Sequence, residues 1–367
     1  MEPVPVLYCI DALHNGGTEL QLLGLLERLD RRRVRPLLCT LRPSSLAPPA
    51  DVEHLYLPTP RLLAPGGWRS VRRLAAWLRE REVRIVQTFF QDATVVGLAA
   101  ARRAGVPVRL VSFRDLGFWR TRAQSWLMRR VEPWATGFLA NSAAVRDAAC
   151  RADGLDPARF RVIPNGIDTD RYRFVDHTEP RPDVAVVGNL NRRVKRQDLF
   201  LAAAARLADR YPGVRWHLVG DGELRPAYER RARQLGLGER VVFAGRVDDM
   251  NGYLARIGIG VNCSDTEGLS NAVLEYMLCG CAVVATAAGG NREVVRDGET
   301  GLLVPPGDAS ALAAAVAGLL DDPARRRGLA RAAAAAVRER FAWERCVEAH
   351  HVYYAEVLEH GLAEEGL

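Results

Sequence analysis

Short runs rich in Val, Ile and Leu alternate with longer amphipathic runs along most of the 367 residues, and this rhythm constrains the fold more than any other feature. A strand buried on both faces reads as a continuous apolar run, whereas a helix lying on a sheet is apolar on one side only. The alternation therefore predicts an α/β chain with mostly parallel sheets covered by helices. Strand-like runs fall at 4–10, 34–40, 52–57, 84–89, 108–113, 137–141 and 161–164. The polar stretch 173–182, with two prolines, breaks the rhythm and reads as a linker. The rhythm restarts at 184–188, 216–220, 241–245, 259–263, 282–286 and 302–304, and after Asp308 the chain reads as helices. The expectation is two Rossmann-like, doubly wound domains, 1–174 and 183–345, each offering a ligand face at its strand ends.

Bulk properties exclude several classes. No apolar run is long enough to span a bilayer, and the N-terminus, Met1-Glu-Pro-Val-Pro, lacks the basic region of a signal peptide, so a cytoplasmic protein is expected. Seven scattered cysteines, with no C-x-x-C pair and no neighbouring His, read as buried reduced thiols rather than zinc ligands. The formal charge of +7 comes from arginines spread along the chain among Asp and Glu, with no aromatic-basic motif of an RNA reader. Nucleic acid is not expected as a partner, while peripheral association with an anionic membrane face stays open.

Lys195 is the single lysine among 51 basic residues. Lysine gives what arginine cannot, a compact point charge with three rotatable donors. It lies between the strand-like run ending at Gly188 and a helix-like run from Gln197, where phosphates bind in α/β folds. One surviving surface lysine is the plainer alternative. Asn15-Gly16-Gly17 similarly follows the first strand and opens a helix. Its glycines admit close backbone approach to an anion, although a tight turn accounts for them as well.

The stretch 264–275 is the richest. It turns at Gly268, starts a helix near Ser270, and carries Glu267 in the loop and Glu275 about one turn inside. Glu275 is the one charged residue from Gly268 through Asn291, so it needs either a solvated face or matching donors. The vicinal hydroxyls of a ribose suit it, and Glu267 could serve sugar hydroxyls in the same way. A capping box Ser264-x-x-Glu267 and a solvated helix position for Glu275 are the competing readings.

Together these motifs resemble the family-4 retaining glycosyltransferases of GT-B fold. Glu267-x7-Glu275 inside EGLSNAVLEYMLCG is similar to that family's E-x7-E motif. It occurs in order with VVGNL and VKRQD (186–198), LVGDGEL (218–224), VVFAGRV (241–247), GGNREVVRDGETGLLVPPGD (289–308), NGGTELQLLGLLERL (15–29) and IPNGID (163–168). The resemblance implies two domains facing a cleft, the first holding the acceptor and the second a nucleotide-diphosphate sugar, with a C-terminal helix (about 346–367) crossing back to the first. It implies that Lys195, with Arg192 or Arg193, meets the donor diphosphate, that Glu275 binds ribose and that Glu267 binds the transferred sugar. Gly16, Gly17, Gly188, Asn189, Gly268, Leu269, Ser270 and Asn271 would line the donor, with Val247 where relatives hold the base. Arg114 and Asp115, in SFRDLGFW (112–119), resemble a signature of bacterial surface-polysaccharide members and would line the acceptor side with Phe89 and Asp92. No metal or other cofactor is implied. The chain departs from the family pattern at Asn189, where many relatives have Arg, and at Phe89, where many have His.

The expected chemistry is transfer with retention, the charge on the leaving diphosphate being met by Lys195, an arginine and helix-start N–H groups. The acceptor would be a glycan, a lipid-linked glycan or a small molecule. Two competing classes remain: a non-catalytic sugar-nucleotide binder, and a phosphorylase-like enzyme carrying pyridoxal phosphate on Lys195.

Overall fold

The structure, a computed structural model, describes residues 2–59, 65–117, 120–179 and 182–364. The last two residues of SFRDLGFW and positions 180–181 of the expected linker lie outside them. Two compact units result: Met1–Gly166 with Trp343–Leu367, and Ile167–Ala342.

The first unit runs β1 (Val4–Ile10), α1 (Gly17–Arg28), β2 (Val34–Thr40), β3 (Glu53–Tyr56), α2 (Pro65–Glu80), β4 (Ile85–Phe89), α3 (Gln91–Ala104), β5 (Val108–Phe113), α4 (Arg122–Val131), β6 (Gly137–Ala140), α5 (Ala143–Asp153) and β7 (Phe160–Val162). Its seven strands are all parallel, in the order β3-β2-β1-β4-β5-β6-β7. Successive residues of β1 serve opposite faces of the sheet. Val6, Tyr8 and Ile10 join one apolar cluster, and Leu7 and Cys9 join another. Both faces are thus buried, which is why the strand reads as an unbroken apolar run.

The second unit runs β8 (Asp183–Val187), α6 (Gln197–Leu207), β9 (Trp216–Val219), α7 (Arg225–Gln234), β10 (Val241–Gly245), α8 (Met250–Leu254), β11 (Ile257–Asn262), α9 (Asn271–Cys279), β12 (Ala282–Thr286), α10 (Asn291–Val294), β13 (Leu302–Val304), α11 (Ala309–Asp321) and α12 (Pro323–Arg340). Its six parallel strands follow the order β10-β9-β8-β11-β12-β13.

The last helix, α13 (Trp343–Glu364), returns to the first unit, as the resemblance implies. It begins with Trp343 filling the space beside Gly24 of α1 and Gly166, where an added Cβ would lie 2.4 and 2.3 Å from the indole. Further along, the Tyr354 hydroxyl donates to Gln87 Oε1 of β4 (2.6 Å) and lies 3.0 Å from the Tyr8 hydroxyl.

The stretch 173–182 is not a free connector. The chain passes between units at Gly166/Ile167, and the described part of the stretch is tied to the second unit. The Val175 amide donates to the Cys279 carbonyl (3.1 Å), the Arg173 amide donates to Asn251 Oδ1 (2.9 Å), and His177 is buried. Prolines and charges gave the stretch the composition of a linker, but its backbone groups find partners within the second unit. The seven cysteines are free thiols, six of them buried.

Candidate functional site

In a doubly wound sheet the chain reverses direction across the sheet at one point, and ligands bind there, beyond the carboxyl ends of the strands. In the second unit that point lies between β8 and β11. The two loops leaving these strands carry Lys195 and Glu267. Lys195 ends a tight 3-10 turn, Arg193–Lys195, and its Nζ donates to Glu267 Oε1 at 2.7 Å. The loops are also joined through their backbones, the Asp265 amide donating to the Val194 carbonyl at 2.9 Å. Gly188 lies beneath, an added Cβ there standing 3.9 Å from Lys195 Cδ.

Glu267 is buried, and burial alone would raise its pKa. The Lys195 ammonium, with donors from Ser264 Oγ (2.7 Å) and Asn262 Nδ2 (3.1 Å), outweighs that cost and holds the carboxyl below its ordinary range. Ser264 donates here as a loop residue, so the Ser264-x-x-Glu267 pattern is a side-chain contact and not a helix cap. The helix cap position is Ser270, just before α9. Asn262 also donates to Ser270 Oγ (3.0 Å) and accepts from Asn291 Nδ2 (3.1 Å), which braces the loop from behind.

The loop after β12 presses on this structure. The Gly290 amide donates to the Glu267 carbonyl (3.0 Å), and a Cβ on Gly290 would fall 1.9 Å from the Gly268 carbonyl oxygen. Gly290→Ala is expected to cost about 1–3 kcal/mol, because backbone and not a flexible side chain must move. Gly318→Ala in α11, where a Cβ meets nothing within 4 Å, should be neutral or slightly stabilising. Denaturant unfolding of the two variants checks the contrast.

Glu275 lies one turn into α9 and is half-buried. Burial pushes its carboxyl up to about 7, against the pull of the Tyr172 hydroxyl and the Arg171 guanidinium. It is thus neither fully solvated nor fully matched. The neighbouring Tyr276 holds α9 to the sheet, its hydroxyl accepting from the Val187 amide and donating to the Val261 carbonyl (3.3 Å).

The other expected donor residues in this unit are also located. Gly188 and Asn189 follow β8, with Asn189 exposed and its carbonyl accepting from Gln197 Nε2 (3.3 Å). Arg192 and Arg193 are exposed in the same loop, and Val247 follows β10, half-buried. Gly268 and Leu269 are buried, and Asn271 opens α9.

In the first unit the corresponding point lies between β1 and β4. Gly16 and Gly17 start α1 after β1, and Phe89 ends β4. The Phe89 ring is buried in the apolar core. Asp92 pairs with Arg42. Arg114 donates to Asn165 Oδ1 (2.8 Å), its guanidinium pushed down to about 10 by burial, and Asp115 accepts from the Gly117 amide (2.8 Å).

Sequence reasoning gave Ser264 only a capping role and assigned none to Asn262, Asn291 and Tyr172, which brace or face the two glutamates. It also overlooked Asp11, whose carboxylate accepts from the Ala93 amide (2.8 Å) and is raised to about 6, chiefly by burial. The available signal was a polar residue closing an apolar strand: Asn262 ends Ile257–Asn262, and Asp11 follows Val4–Ile10.

Fold and site define a two-unit α/β protein of GT-B type. The model for glycosyl transferases group 1 matches residues 181–322, and that for glycosyltransferase family 4 matches 15–171. A D-inositol 3-phosphate glycosyltransferase of Actinosynnema mirum is 31% identical over 294 residues, 72% of this chain and 70% of that protein. The chain therefore belongs to the family-4, group-1 glycosyltransferases. The lipopolysaccharide core biosynthesis glycosyltransferase LpsE of Rhizobium meliloti is 38% identical over 175 residues, 47% of this chain and 50% of that protein. The chain thus spans about half the length of LpsE. Among solved structures, Anabaena HepE in complex with UDP and glucose has a TM-score of 0.82 at 23% identity, covering 97% of this chain and 99% of that one.

Proposed function

We propose that the chain moves a sugar, with retention and without a metal, from a nucleotide-diphosphate sugar to a glycan, a lipid-linked or a small-molecule acceptor in bacterial surface-polysaccharide synthesis. The observation that carries this reading is the Lys195–Glu267 contact of 2.7 Å at the crossover of the second sheet. An ammonium beside a carboxylate suits a donor with an anionic half and a hydroxyl-rich half. Lys195 meets the diphosphate, assisted by Arg193 or Arg192, while Glu267 accepts from sugar hydroxyls. Glu275 accepts from the ribose. The bond from the anomeric carbon to the diphosphate oxygen breaks, and the acceptor oxygen bonds to that carbon on the same face. The acceptor proton passes to the departing phosphate oxygen. Developing negative charge is met by Lys195 and by N–H groups at Leu269 and Ser270, so no side chain attacks the sugar. UDP and UDP-glucose complexes of Anabaena HepE support a UDP-sugar as the first donor to try.

The pyridoxal phosphate alternative is disfavoured, because Lys195 sits in a turn beside exposed Arg192 and Arg193 with its Nζ engaged by Glu267, and not in the apolar pocket that activates a Schiff-base lysine. The non-catalytic alternative draws on one observation, the Phe89 ring buried where many relatives have His. A thermal-shift panel of UDP-, GDP- and ADP-sugars separates the readings. One donor present at about a hundred times its Kd should stabilise the fold by about 2.7 kcal/mol. NMR of the product should then show the donor's anomeric configuration. Inverted product, or no stabilisation by any sugar nucleotide, overturns the proposal. Stabilisation without transfer or hydrolysis favours the non-catalytic reading.

A further inference from the structure

Charge is interleaved along most of the chain, but on two helices of the first unit it is almost all basic, the one acid being Glu80 at the last position of α2, paired with Arg81. No acid occurs between Pro65 and Arg79, or between Leu116 and Val131. The strand order places these helices together. The connections β3 to β4, β4 to β5 and β5 to β6 all run the same way across the sheet. Right-handed crossovers therefore put α2, α3 and α4 on one face. Both outer helices turn a tryptophan to solvent. Trp68 on α2 is 66% exposed and Trp126 on α4 is 54% exposed, against full burial of Trp216 in the other unit. Around Trp68 the exposed positions are Arg69, Arg72 and Arg73. Around Trp126 they are Arg122, Arg129 and Arg130, with the Arg130 guanidinium 4.7 Å from the indole centroid. Between them, α3 adds exposed Arg102 and Arg103. The inner sides of the same helices are spent on the core, through Leu74, Leu78, Met128 and Val131.

We propose that this α2–α4 face docks on an anionic lipid bilayer. Indoles favour the boundary between headgroup and acyl chain, and arginines favour anionic headgroups. The same charge argues against a second copy of this chain as occupant, since a two-fold contact would set arginines against arginines. Among the described residues no helix is long and apolar enough to cross a membrane, so the contact is peripheral. Nothing in this assignment depends on sugar transfer.

The test is co-sedimentation of the whole protein with vesicles of phosphatidylcholine alone or mixed with phosphatidylglycerol. Binding is expected for the mixed vesicles only, and it should fall steeply with added salt. Arg129→Glu/Arg130→Glu should weaken it by roughly tenfold or more, since each basic residue near the surface contributes about fivefold. Trp68→Ser/Trp126→Ser should also weaken it while leaving the melting temperature in place. Arg230→Glu/Arg231→Glu, the same charge change at exposed positions of α7, should bind as wild type. Equal binding to both vesicle types, wild-type binding by the α4 variant, or equal loss in the α7 variant overturns the assignment. So does a preference for duplex RNA over vesicles, or dimerisation that the Trp variants abolish.

Discussion

Lys195→Ala is expected to abolish sugar transfer, with a loss on the order of a hundredfold or more, if Lys195 meets the leaving diphosphate as proposed. The substitution has a second effect that must be kept apart from the first. Glu267 is buried, and Lys195 is its one cationic hydrogen-bond partner among the described residues. Without the ammonium, burial is opposed only by Ser264 and Asn262, and the carboxyl pKa must rise. Part-exposure of Lys195 screens the pair, so the stability lost should be about 1–3 kcal/mol. The sign follows from the depressed value of Glu267. The stabilisation is fully present above the ordinary carboxylate range and is lost as pH falls through the folded value. Lys195→Ala should therefore be less stable than wild type at neutral pH and approach it in acid. Adding Glu267→Gln should recover most of the stability, since a neutral amide needs no counter-charge, and none of the transfer. Denaturant melts and turnover with one donor, on both single variants and the double, read the two effects separately. Near-wild-type turnover in Lys195→Ala sinks the role given to Lys195.

How legible this site was depends on which forces hold each part. The strands were legible because a parallel strand covered on both faces, like Val4–Ile10 or Ile257–Asn262, has no polar side to disguise it. Lys195 and Glu275 stood out because composition isolated them, a lone lysine among arginines and a lone acid in an apolar stretch, and Glu267 stood out by its place in the loop and its spacing from Glu275. The Lys195–Glu267 contact could not be read, since it follows from two loops meeting at a crossover that only strand order defines. The supports of Glu267 were hidden for a different reason. Asn262 and Asn291 are ordinary polar residues until burial makes their hydrogen bonds count. Position 172 was hidden because the stretch that follows it has a linker's composition. The contacts that tie that stretch down come from elsewhere in the second unit, at Asn251 and Cys279, far along the sequence.

Tyr172 matters for the other large effect, which concerns Glu275. A carboxyl held up at about 7 is protonated through much of the acid range. If its ionised form accepts from both ribose hydroxyls, donor affinity is highest above pH 7 and falls towards tenfold per pH unit below it. The diphosphate of an intact nucleotide sugar has no group that titrates in this range, so the midpoint belongs to the protein. Glu275→Gln should flatten the profile and weaken binding at pH 8 by roughly ten- to a hundredfold, as expected for lost hydrogen bonds to a charge. In the empty protein the sign reverses. A raised carboxyl pKa means that the folded state binds its proton more tightly than the unfolded chain, so stability drops as pH rises from about 4.5 to about 7. Glu275→Gln removes that drop and should be the more stable protein at pH 8, by an amount on the order of 1–3 kcal/mol. A residue with a purely structural role would not lose binding while gaining stability. Tyr172→Phe adds an independent handle. Its hydroxyl favours the ionised carboxylate, so its removal should carry the binding midpoint to higher pH. Calorimetric titration of one nucleotide sugar across the pH range, on wild type and both variants, tests all three expectations. A flat wild-type profile, or normal binding by Glu275→Gln, would remove the ribose from Glu275.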